Sequence, residues 1–167
     1  MNFQLRAPRI PHASVVEQVF INRGIPANEV NHYLNTTDAD VIAPSTITNI
    51  QEGAKMLVSH IAQNHKVMVQ IDSDCDGFTS AAVLINYLNC LFPGFVQNNI
   101  FYRPHTNKAH GIIPETVPED VKLVIAPDSS SNEFEIHKSL HDRGIDVLVI
   151  DHHEAEKVSE YACVINN

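Results

Sequence analysis

The sequence is poor in cysteine and has neither tryptophan nor a long apolar run. Its three cysteines are widely spaced and form no C-x-x-C pair, so neither a disulfide framework nor a zinc knuckle is expected. No stretch reaches the roughly 18 apolar residues that a membrane span requires, and the N-terminus has no apolar segment of the signal-peptide kind. We therefore expect reduced cysteines and a cytoplasmic protein.

Basic residues are also scarce. The chain has 11 Lys and Arg against 20 Asp and Glu, a formal net charge of −9. Proteins that act on nucleic acid usually contact phosphates through a basic surface, so this charge is unusual for a nucleic-acid enzyme. Two explanations stay open: the acids hold divalent cations, which would reverse the local charge, or a basic surface lies on a part of the protein outside this chain.

Apolar residues make up 44% of the sequence, as in ordinary globular domains. Residues 13–23 place them at helical spacing, and a short second helix is expected after Pro26. Ser45 or Thr46 is predicted to cap a longer helix. We therefore predict that residues 1–65 form a helical lead-in that packs on the core.

The remaining part, residues 66–167, is predicted to be the core itself. Four β-branched apolar runs are predicted strands: 66–72, 99–102, 122–126 and 146–150. Helices are predicted from the segments 81–88 and 132–143, and the first is so apolar that it should pack closely on a sheet. A further strand is predicted near the end of the chain. Strands that alternate with helices predict an α/β fold, with a Rossmann-like, mostly parallel sheet flanked by helices.

Acids and histidines collect where three of these strands end. They form the segments Asp72-Ser73-Asp74-Cys75-Asp76-Gly77, Asp128-Ser129-Ser130-Ser131 and Asp151-His152-His153. In open α/β sheets ligands bind in the crevice at the carboxyl ends of the strands, so these groups can converge there. Imidazole together with several carboxylates suits manganese, and to a lesser degree magnesium or zinc. The pattern thus predicts a polynuclear metal site.

Two simpler interpretations compete with a metal site. The D-x-D-x-D-G run also opens a calcium EF-hand loop, but the twelfth position, which must be a bidentate Glu, is Val83, and the preceding segment is a predicted strand. A solvated acidic turn would explain one cluster but not three. A hydrogen-bonded structural cluster remains open for Asp151-His152-His153.

These segments resemble the three motifs of the DHH phosphoesterases, and within that family they are most similar to the N-terminal part of RecJ-type single-stranded-DNA-specific exonucleases. The run from Asp72 to Ser80 resembles the first motif, Asp128-Ser129-Ser130-Ser131 the second, and Asp151-His152-His153 the third, which gives the family its name. Residues 33–35, and residues 103–111 between the first two motifs, are also similar to RecJ-type sequences. The resemblance implies a hydrolase that acts in DNA repair or recombination.

The resemblance also implies two divalent cations, usually Mn²⁺, with Mg²⁺ as the alternative. Asp74 and Asp76 would each bind one cation, Asp128 would bridge them and His152 would complete one coordination sphere. Asp72 matches a further metal-binding acid of the motif. His153 would face the scissile phosphate, so the catalytic set is Asp74, Asp76, Asp128, His152 and His153. Gln70 stands where many relatives carry a histidine ligand, which implies a looser first metal site.

Other residues are predicted to contact the phosphates of a nucleic acid. Gly77 would let the loop turn tightly, while Thr79 and Ser80 would cap the following helix and direct backbone N–H groups at a phosphate. The one locally basic stretch is the other candidate, since it would give affinity without sequence readout; its members are Arg103, His105, Lys108 and His110. A solvated loop is the alternative interpretation of that stretch.

The leading functional hypothesis is metal-dependent phosphodiester hydrolysis, as a 5′-end-directed exonuclease on single-stranded DNA. A phosphodiesterase for oligonucleotides or cyclic dinucleotides is one alternative. A non-catalytic DHH-like module that binds nucleic acid or a replication partner is the other. Family members usually continue with another metal-binding acid and a substrate-binding domain, so the chain is interpreted as a fragment or a natural short form. We expect the isolated chain to bind Mn²⁺ weakly and to cleave poorly.

Overall fold

The computed structural model of the chain describes residues 8–106 and 109–166. Their contacts divide into two compact units, one that ends at Ile42 and one that begins at Ala43. The predicted boundary lay between residues 65 and 66. It differs because the longest of the early helices packs against the sheet and so belongs to the second unit. None of the helices in the described ranges is long and apolar enough to span a membrane.

The first unit contains two helices, α1 (Val15–Asn22) and α2 (Val30–Leu34). Ser14 begins α1 with a capping box, in which its hydroxyl accepts from the Glu17 amide and the Glu17 carboxylate accepts from the Ser14 amide. This reciprocal pair satisfies two amides that the first turn leaves without partners. Both helices were predicted from the sequence.

The second unit is built on a five-stranded parallel sheet. Its strands are β1 (Lys66–Ile71), β2 (Ile100–Pro104), β3 (Val121–Pro127), β4 (Asp146–Ile150) and β5 (Cys163–Ile165). Their order across the sheet is β2-β1-β3-β4-β5, and every neighbouring pair is parallel. The connections reverse direction at β1, so the topological switch point, where such sheets bind ligands, lies between β1 and β3.

Helices cover both faces of the sheet, which is why β1, β3 and β4 are continuous apolar runs. One face packs against α6 (Phe134–Asp142). The other packs against α3 (Ile50–Ala62), α4 (Cys75–Leu91) and α5 (Pro93–Asn99). The prediction of an α/β fold with a parallel sheet flanked by helices is confirmed.

The start of α3 was predicted wrongly. The segment Pro44–Thr46 forms a 3₁₀ turn, and the Thr46 hydroxyl donates to the Ala43 carbonyl instead of capping a helix. The backbone is extended at Ile47, and Asn49, with φ of 59°, precedes the first residue of α3. Neither Ser45 nor Thr46 therefore caps it.

The prediction that α4 packs closely on the sheet holds for only part of the helix. Gly77, Ala81 and Leu88 are buried, but Val83 is 71% exposed and Tyr87 is 63% exposed. The helix is apolar on more sides than the sheet can cover. Its uncovered side lines a cavity at the carboxyl edge of the sheet.

Candidate metal centre

The first wall of the site comes from the end of β1. Asp72 is buried, and its Oδ1 accepts from the Ser73 amide at 3.0 Å. Its two carboxylate oxygens lie 3.0 and 2.8 Å from Nδ1 of His110. The hydrogen bond that His110 donates to Asp72, followed by the negative charge of Asp72, raises the pKa of His110. His110, which was predicted to contact phosphate, therefore contacts Asp72, which was predicted to bind a metal ion.

The start of α4 places the next acid. Asp74 is the N-cap, and its Oδ1 accepts from the Gly77 amide at 3.0 Å, which is the main reason that the pKa of this carboxyl is lowered. Gly77 lies within the first turn and not in a loop, and its φ is not positive. A Cβ atom at Gly77 would lie 2.6 Å from Cβ of Asp72. The glycine is therefore needed for close approach to β1, and the predicted tight loop turn was wrong.

Thr79 and Ser80 do not cap α4, contrary to the prediction. The Thr79 hydroxyl donates to the carbonyls of Cys75 and Asp76, and the Ser80 hydroxyl donates to that of Gly77. They lie in the second turn, whereas the cap is Asp74. Their hydroxyl protons are used inside the helix, although both residues still line the cavity beside the site.

The second wall is Asp128, directly after β3. Its amide donates to the Ile150 carbonyl at 2.7 Å, and its φ is 69°. Ser130, two residues later, has φ of 81°. Non-glycine residues rarely occupy this left-handed region, and such strain is common at functional sites. Burial, and then the negative charge of Asp74, raises the pKa of Asp128.

The third wall is the end of β4. The side chain of Asp151 is 1% exposed, and its oxygens accept from the amides of Ser131, His152 and His153 and from Nδ1 of the His153 ring at 2.7 Å. Burial acts to raise the pKa of Asp151, but these hydrogen bonds outweigh it and lower the value to about 2. Asp151 is therefore an anion at neutral pH, and it orients His153. In turn, the hydrogen bond that the His153 ring donates to Asp151 raises the pKa of His153.

The three walls meet. Nε2 of His152 lies 3.0 Å from Oδ1 of Asp128. Two groups of side chains could each hold a cation, because the ligand atoms within each group lie within 4.8 Å of one another. One group is Asp72, Asp74 and Asp128; the other is Asp128, Asp151, His152 and His153. Asp128 belongs to both groups, which is the arrangement that a shared, bridging carboxylate requires.

The donor set fits a pair of divalent cations. Carboxylate oxygens predominate and imidazole nitrogens are the minority, a combination that suits Mn²⁺. Catalytic metal pairs are about 3.5–4 Å apart, a spacing that one carboxylate can bridge. Gln70 adds a buried oxygen close by in sequence: its Nε2 donates to the Arg103 carbonyl, but Oε1 has no hydrogen-bond partner among the described residues.

Asp76 is the predicted ligand that falls outside both groups. It is exposed and lines a separate cavity beside Asp128 and His152. Asp151, in contrast, belongs to one group although no role was predicted for it. Four N–H groups already occupy its oxygens, so we interpret it as a positioning residue that holds His153, as carboxylates behind metal-site histidines commonly do.

The structure places the residues of the predicted basic stretch in different environments. Arg103 lies exposed on β2, and His110 contacts Asp72. The ring of His105 instead lies 2.6 Å from the Gly111 carbonyl and closes the loop. Gly111 has φ of 76°, and a Cβ atom there would overlap the Glu133 carboxylate. Lys108 lies outside the described residues.

Asp128 borders two cavities. One, of about 250 Å³, is lined by charged and polar residues that include Asp72, Asp74, His110, Asp151 and His153. The other, of about 650 Å³, is lined by Asp128 and His152, by further polar residues of α4 and by a group of apolar side chains. The candidate site is therefore accessible from both cavities.

A known family matches the part of the chain that contains these strand ends. The DHH family, N-terminal domain, matches residues 66–167. This chain belongs to the DHH family. It is 44% identical over 146 residues to the "Putative SPbeta prophage-derived single-strand DNA-specific exonuclease YorK" of Bacillus subtilis (strain 168). It is 29% identical over 146 residues to the single-stranded-DNA-specific exonuclease RecJ of the same organism. The predicted resemblance to RecJ-type DHH proteins is confirmed.

Solved structures agree on the fold. A crystal structure of exonuclease RecJ bound to manganese matches 75% of this chain, over 33% of its own length, with a TM-score of 0.62 and 21% identity. A structure of RecJ from Thermus thermophilus in complex with Mn²⁺ matches 90% of this chain, over 21% of its own length, with a TM-score of 0.61 and 21% identity. The chain spans 24% of the length of YorK and 18% of that of B. subtilis RecJ, although the alignments cover 87% and 84% of the chain.

Proposed function

We propose that this chain is the metal-binding part of a divalent-metal-dependent phosphodiesterase that cleaves single-stranded DNA from a 5′ end. The observation that carries the proposal is the pair of ligand groups that share Asp128, one at the ends of β1 and β3 and the other at the ends of β3 and β4. Carboxylates gathered this closely repel one another unless cations lie between them. The relatives named as single-strand-specific exonucleases support the choice of substrate.

Five residues would hold the metals. Asp72 and Asp74 would bind one cation, His152 the other, and Asp128 both; the exposed Asp76 would join at the side of the larger cavity. Mn²⁺ is the preferred ion, because the donor set mixes oxygen with imidazole nitrogen and because two structural relatives were solved with manganese. When bound, such a pair supplies positive charge for the phosphoryl oxygens and lowers the pKa of an attacking water.

His153 would handle the proton of the leaving group. Its Nδ1 is held by Asp151 at 2.7 Å, so Nε2 is the ring nitrogen that remains for substrate. The hydrogen bond to Asp151 raises the pKa of His153 and so stabilises the protonated ring. Nε2 could then donate to a phosphoryl oxygen or to the departing 3′ oxygen, as a positioned general acid does.

The nucleic-acid backbone would pass along the basic stretch. Arg103 is exposed on β2 and is available for a phosphate, and we keep Lys108, His105 and His110 as further candidates. These contacts would give affinity that does not depend on sequence. The family resemblance predicts a separate substrate-binding domain, and residues 43–166 form only the α/β unit. We therefore expect slow cleavage by this chain alone, best measured with protein in excess over DNA.

The test compares substrates side by side. Wild-type chain and the Asp128→Asn variant are incubated with Mn²⁺ and 5′-phosphorylated single strands, the same strands blocked at the 5′ end, duplex DNA and a cyclic dinucleotide. The proposal predicts that mononucleotides are released from the 5′-phosphorylated single strands and that Asp128→Asn abolishes the release.

The other outcomes would each identify an alternative. Preferred cleavage of the cyclic dinucleotide would replace the exonuclease with a small-molecule phosphodiesterase. Strand binding without cleavage, unchanged in Asp128→Asn, would point to a non-catalytic nucleic-acid-binding module. The blocked strand tests the 5′ polarity independently of the metal chemistry.

A further inference from the structure

The larger cavity, of about 650 Å³, has a wall that metal binding does not explain. It is formed by α4 and by the residues at the ends of β3 and β4. We call its apolar residues the apolar wall: Val83, Leu84, Tyr87, Pro127 and Ile150. The volume is within the range of roughly 300–1,000 Å³ that is typical of ligand pockets.

Two residues of the apolar wall are largely exposed, and the other three are buried or half-buried. Val83 is 71% exposed and Tyr87 is 63% exposed, although both lie in the helix that packs on the sheet. Single exposed apolar residues are common in proteins, but a group of them along a concave surface marks a binding site. The side chains leave the sheet core intact, because Ala81 and Leu88 supply the buried side of α4.

The wall is continuous with the candidate metal centre. Asp76, Asp128 and His152 line the same cavity as Val83 and Tyr87. The smaller cavity, which Asp128 also borders, is lined by charged and polar residues. A nucleotide likewise has a charged part and an apolar part, since its phosphate is charged and its base has two flat apolar faces. With the phosphate at the metals, the base would lie on the apolar side.

The geometry of α4 gives the wall its length. Thr79, Val83 and Tyr87 are spaced by four residues, so they form one stripe along the helix. From Asp76 to Tyr87 the helix rises about 16 Å, at roughly 1.5 Å per residue. Stacked bases are separated by roughly 3.4 Å along a strand. The stripe therefore extends from the metal end of the cavity past the reach of a single base.

We propose that the apolar wall binds the bases next to the scissile phosphodiester, with the Tyr87 ring, at the far end of the stripe, as the stacking surface. This assignment rests on the proposed nuclease function and deepens it. Stacking on an aromatic ring accepts any base, because every base has a π-face. The subsite therefore increases affinity for base-containing strands without reading their sequence. It also gives a small acidic chain a contact to DNA that needs no Lys or Arg side chain.

The test separates the base from the phosphate. Binding of a short 5′-phosphorylated oligothymidylate is compared with that of the same strand carrying abasic residues at its 5′ end, with Ca²⁺ in place of Mn²⁺ to suppress turnover. We expect Tyr87→Ala to weaken binding of the base-containing strand by about 10-fold. The abasic strand should bind wild type and Tyr87→Ala equally.

Two further variants are controls: one retains the ring at position 87, and the other removes an exposed tyrosine outside the cavity. Tyr87→Phe retains the ring and should bind like wild type. Tyr102→Ala removes a tyrosine that is 62% exposed on β2 and does not line the cavity, and it should also bind like wild type. Thermal unfolding of each variant shows whether the fold is unchanged, which is expected because both tyrosines are largely exposed.

Three results with Tyr87→Ala would overturn the subsite, and so would a fourth with wild type alone. One is equal binding of the base-containing strand by wild type and Tyr87→Ala. A second is an equal loss on the abasic strand. The third is a loss of self-association in Tyr87→Ala with unchanged strand binding, which would make the wall a protein-docking surface. If wild type binds base-containing and abasic strands equally well, only the subsite fails; if wild type binds no strand, the proposed function fails with it.

Discussion

Two histidine–aspartate clusters lie at opposite edges of the sheet, and they are built differently. At the amino edge, Nε2 of His60 is 3.0 Å from Asp146, and its Nδ1 is 3.1 Å from Nδ1 of His65. The cluster thus has one carboxylate and two imidazoles, and the carboxylate contacts His60 directly. His60 is buried, and both of its ring nitrogens have partners. This cluster is complete without a ligand.

In the carboxyl-edge cluster, by contrast, carboxylates outnumber imidazoles. Asp72, Asp74, Asp128 and Asp151 converge there, and the pKa of Asp128 is raised, first by burial and then by Asp74. Left-handed backbone at Asp128 adds strain that the amino edge lacks at His60, His65 and Asp146. A histidine beside an aspartate is therefore weak evidence for a metal site. A cluster in which carboxylates outnumber histidines is much stronger evidence.

The largest difference between the clusters should appear when each loses its carboxylate. Asp128→Asn should weaken Mn²⁺ binding by at least about 100-fold, more than loss of a residue behind a ligand usually costs, and should abolish cleavage. Asp146→Asn, whose carboxylate also lies 3.0 Å from a histidine ring, should leave both unchanged. Calorimetric titration with Mn²⁺ and single-turnover cleavage measure the two effects. Equal losses in both variants would remove the distinction.

The next-largest difference should be between histidine variants of the two clusters. His153→Gln removes the predicted proton donor and should slow single-turnover cleavage by roughly 100-fold, while the Mn²⁺ affinity changes by less than about 3-fold, since His152 and the acids remain. His65→Gln at the amino edge should leave the rate unchanged. A loss of Mn²⁺ affinity equal to the loss of rate would make His153 a ligand instead of a proton donor.

Cations should stabilise only the carboxyl edge. Mn²⁺ at about 100 times its dissociation constant adds about 2.7 kcal/mol to the free energy of unfolding, which corresponds to roughly 5–10 °C in Tm for a chain of this size. His60→Gln should lower the Tm of the metal-free protein but keep this increment. Asp128→Asn should lose the increment and have a higher metal-free Tm, because it removes a repelled, buried charge. Differential scanning calorimetry with Mn²⁺ and with EDTA measures both values.

The smallest expected effect is on acid stability. The pKa of Asp151 is lowered to about 2 in the folded chain, so its contribution is present above the unfolded value and is lost as the pH falls from about 4 towards 2. One pKa unit corresponds to about 1.4 kcal/mol, so Asp151 contributes about 2 kcal/mol near neutral pH. In metal-free urea titrations, Asp151→Asn should be less stable at pH 6 and should lose less stability between pH 5 and pH 3. A parallel decline in both proteins would contradict this assignment.

Much of the fold could be predicted from the sequence, because β1, β3 and β4 are short, mostly apolar runs that only a sheet covered on both faces explains. Segment α5 was missed, although Pro93 at its first position is a common start for a helix. The exposure of Val83 and Tyr87 could not be predicted. An apolar helix is normally assigned to the core, and only the position of the neighbouring strands reveals which side remains uncovered.

The candidate site was predicted as three clusters at the strand ends, and these meet around Asp128. What the sequence could not provide were contacts between loops. His110 lies 38 residues from Asp72, and no local pattern links them. A hydrogen-bonded cluster of Asp151 with the two histidines was left open as an alternative, but its hydrogen bonds to nearby amides were not predicted because they depend on the turn geometry. The left-handed conformation of Asp128 and Ser130 is also unpredictable, since this region normally selects glycine.

The most direct test is a crystal structure of the chain grown with Mn²⁺, with the ions located by their anomalous scattering. The account predicts two ions about 3.5–4 Å apart, both bound to the carboxylate of Asp128, one also near Asp72 and Asp74 and the other near His152. No ion should lie at His60 and His65. A single ion, a pair that does not share Asp128, or Mn²⁺ at the amino edge would contradict the central claim.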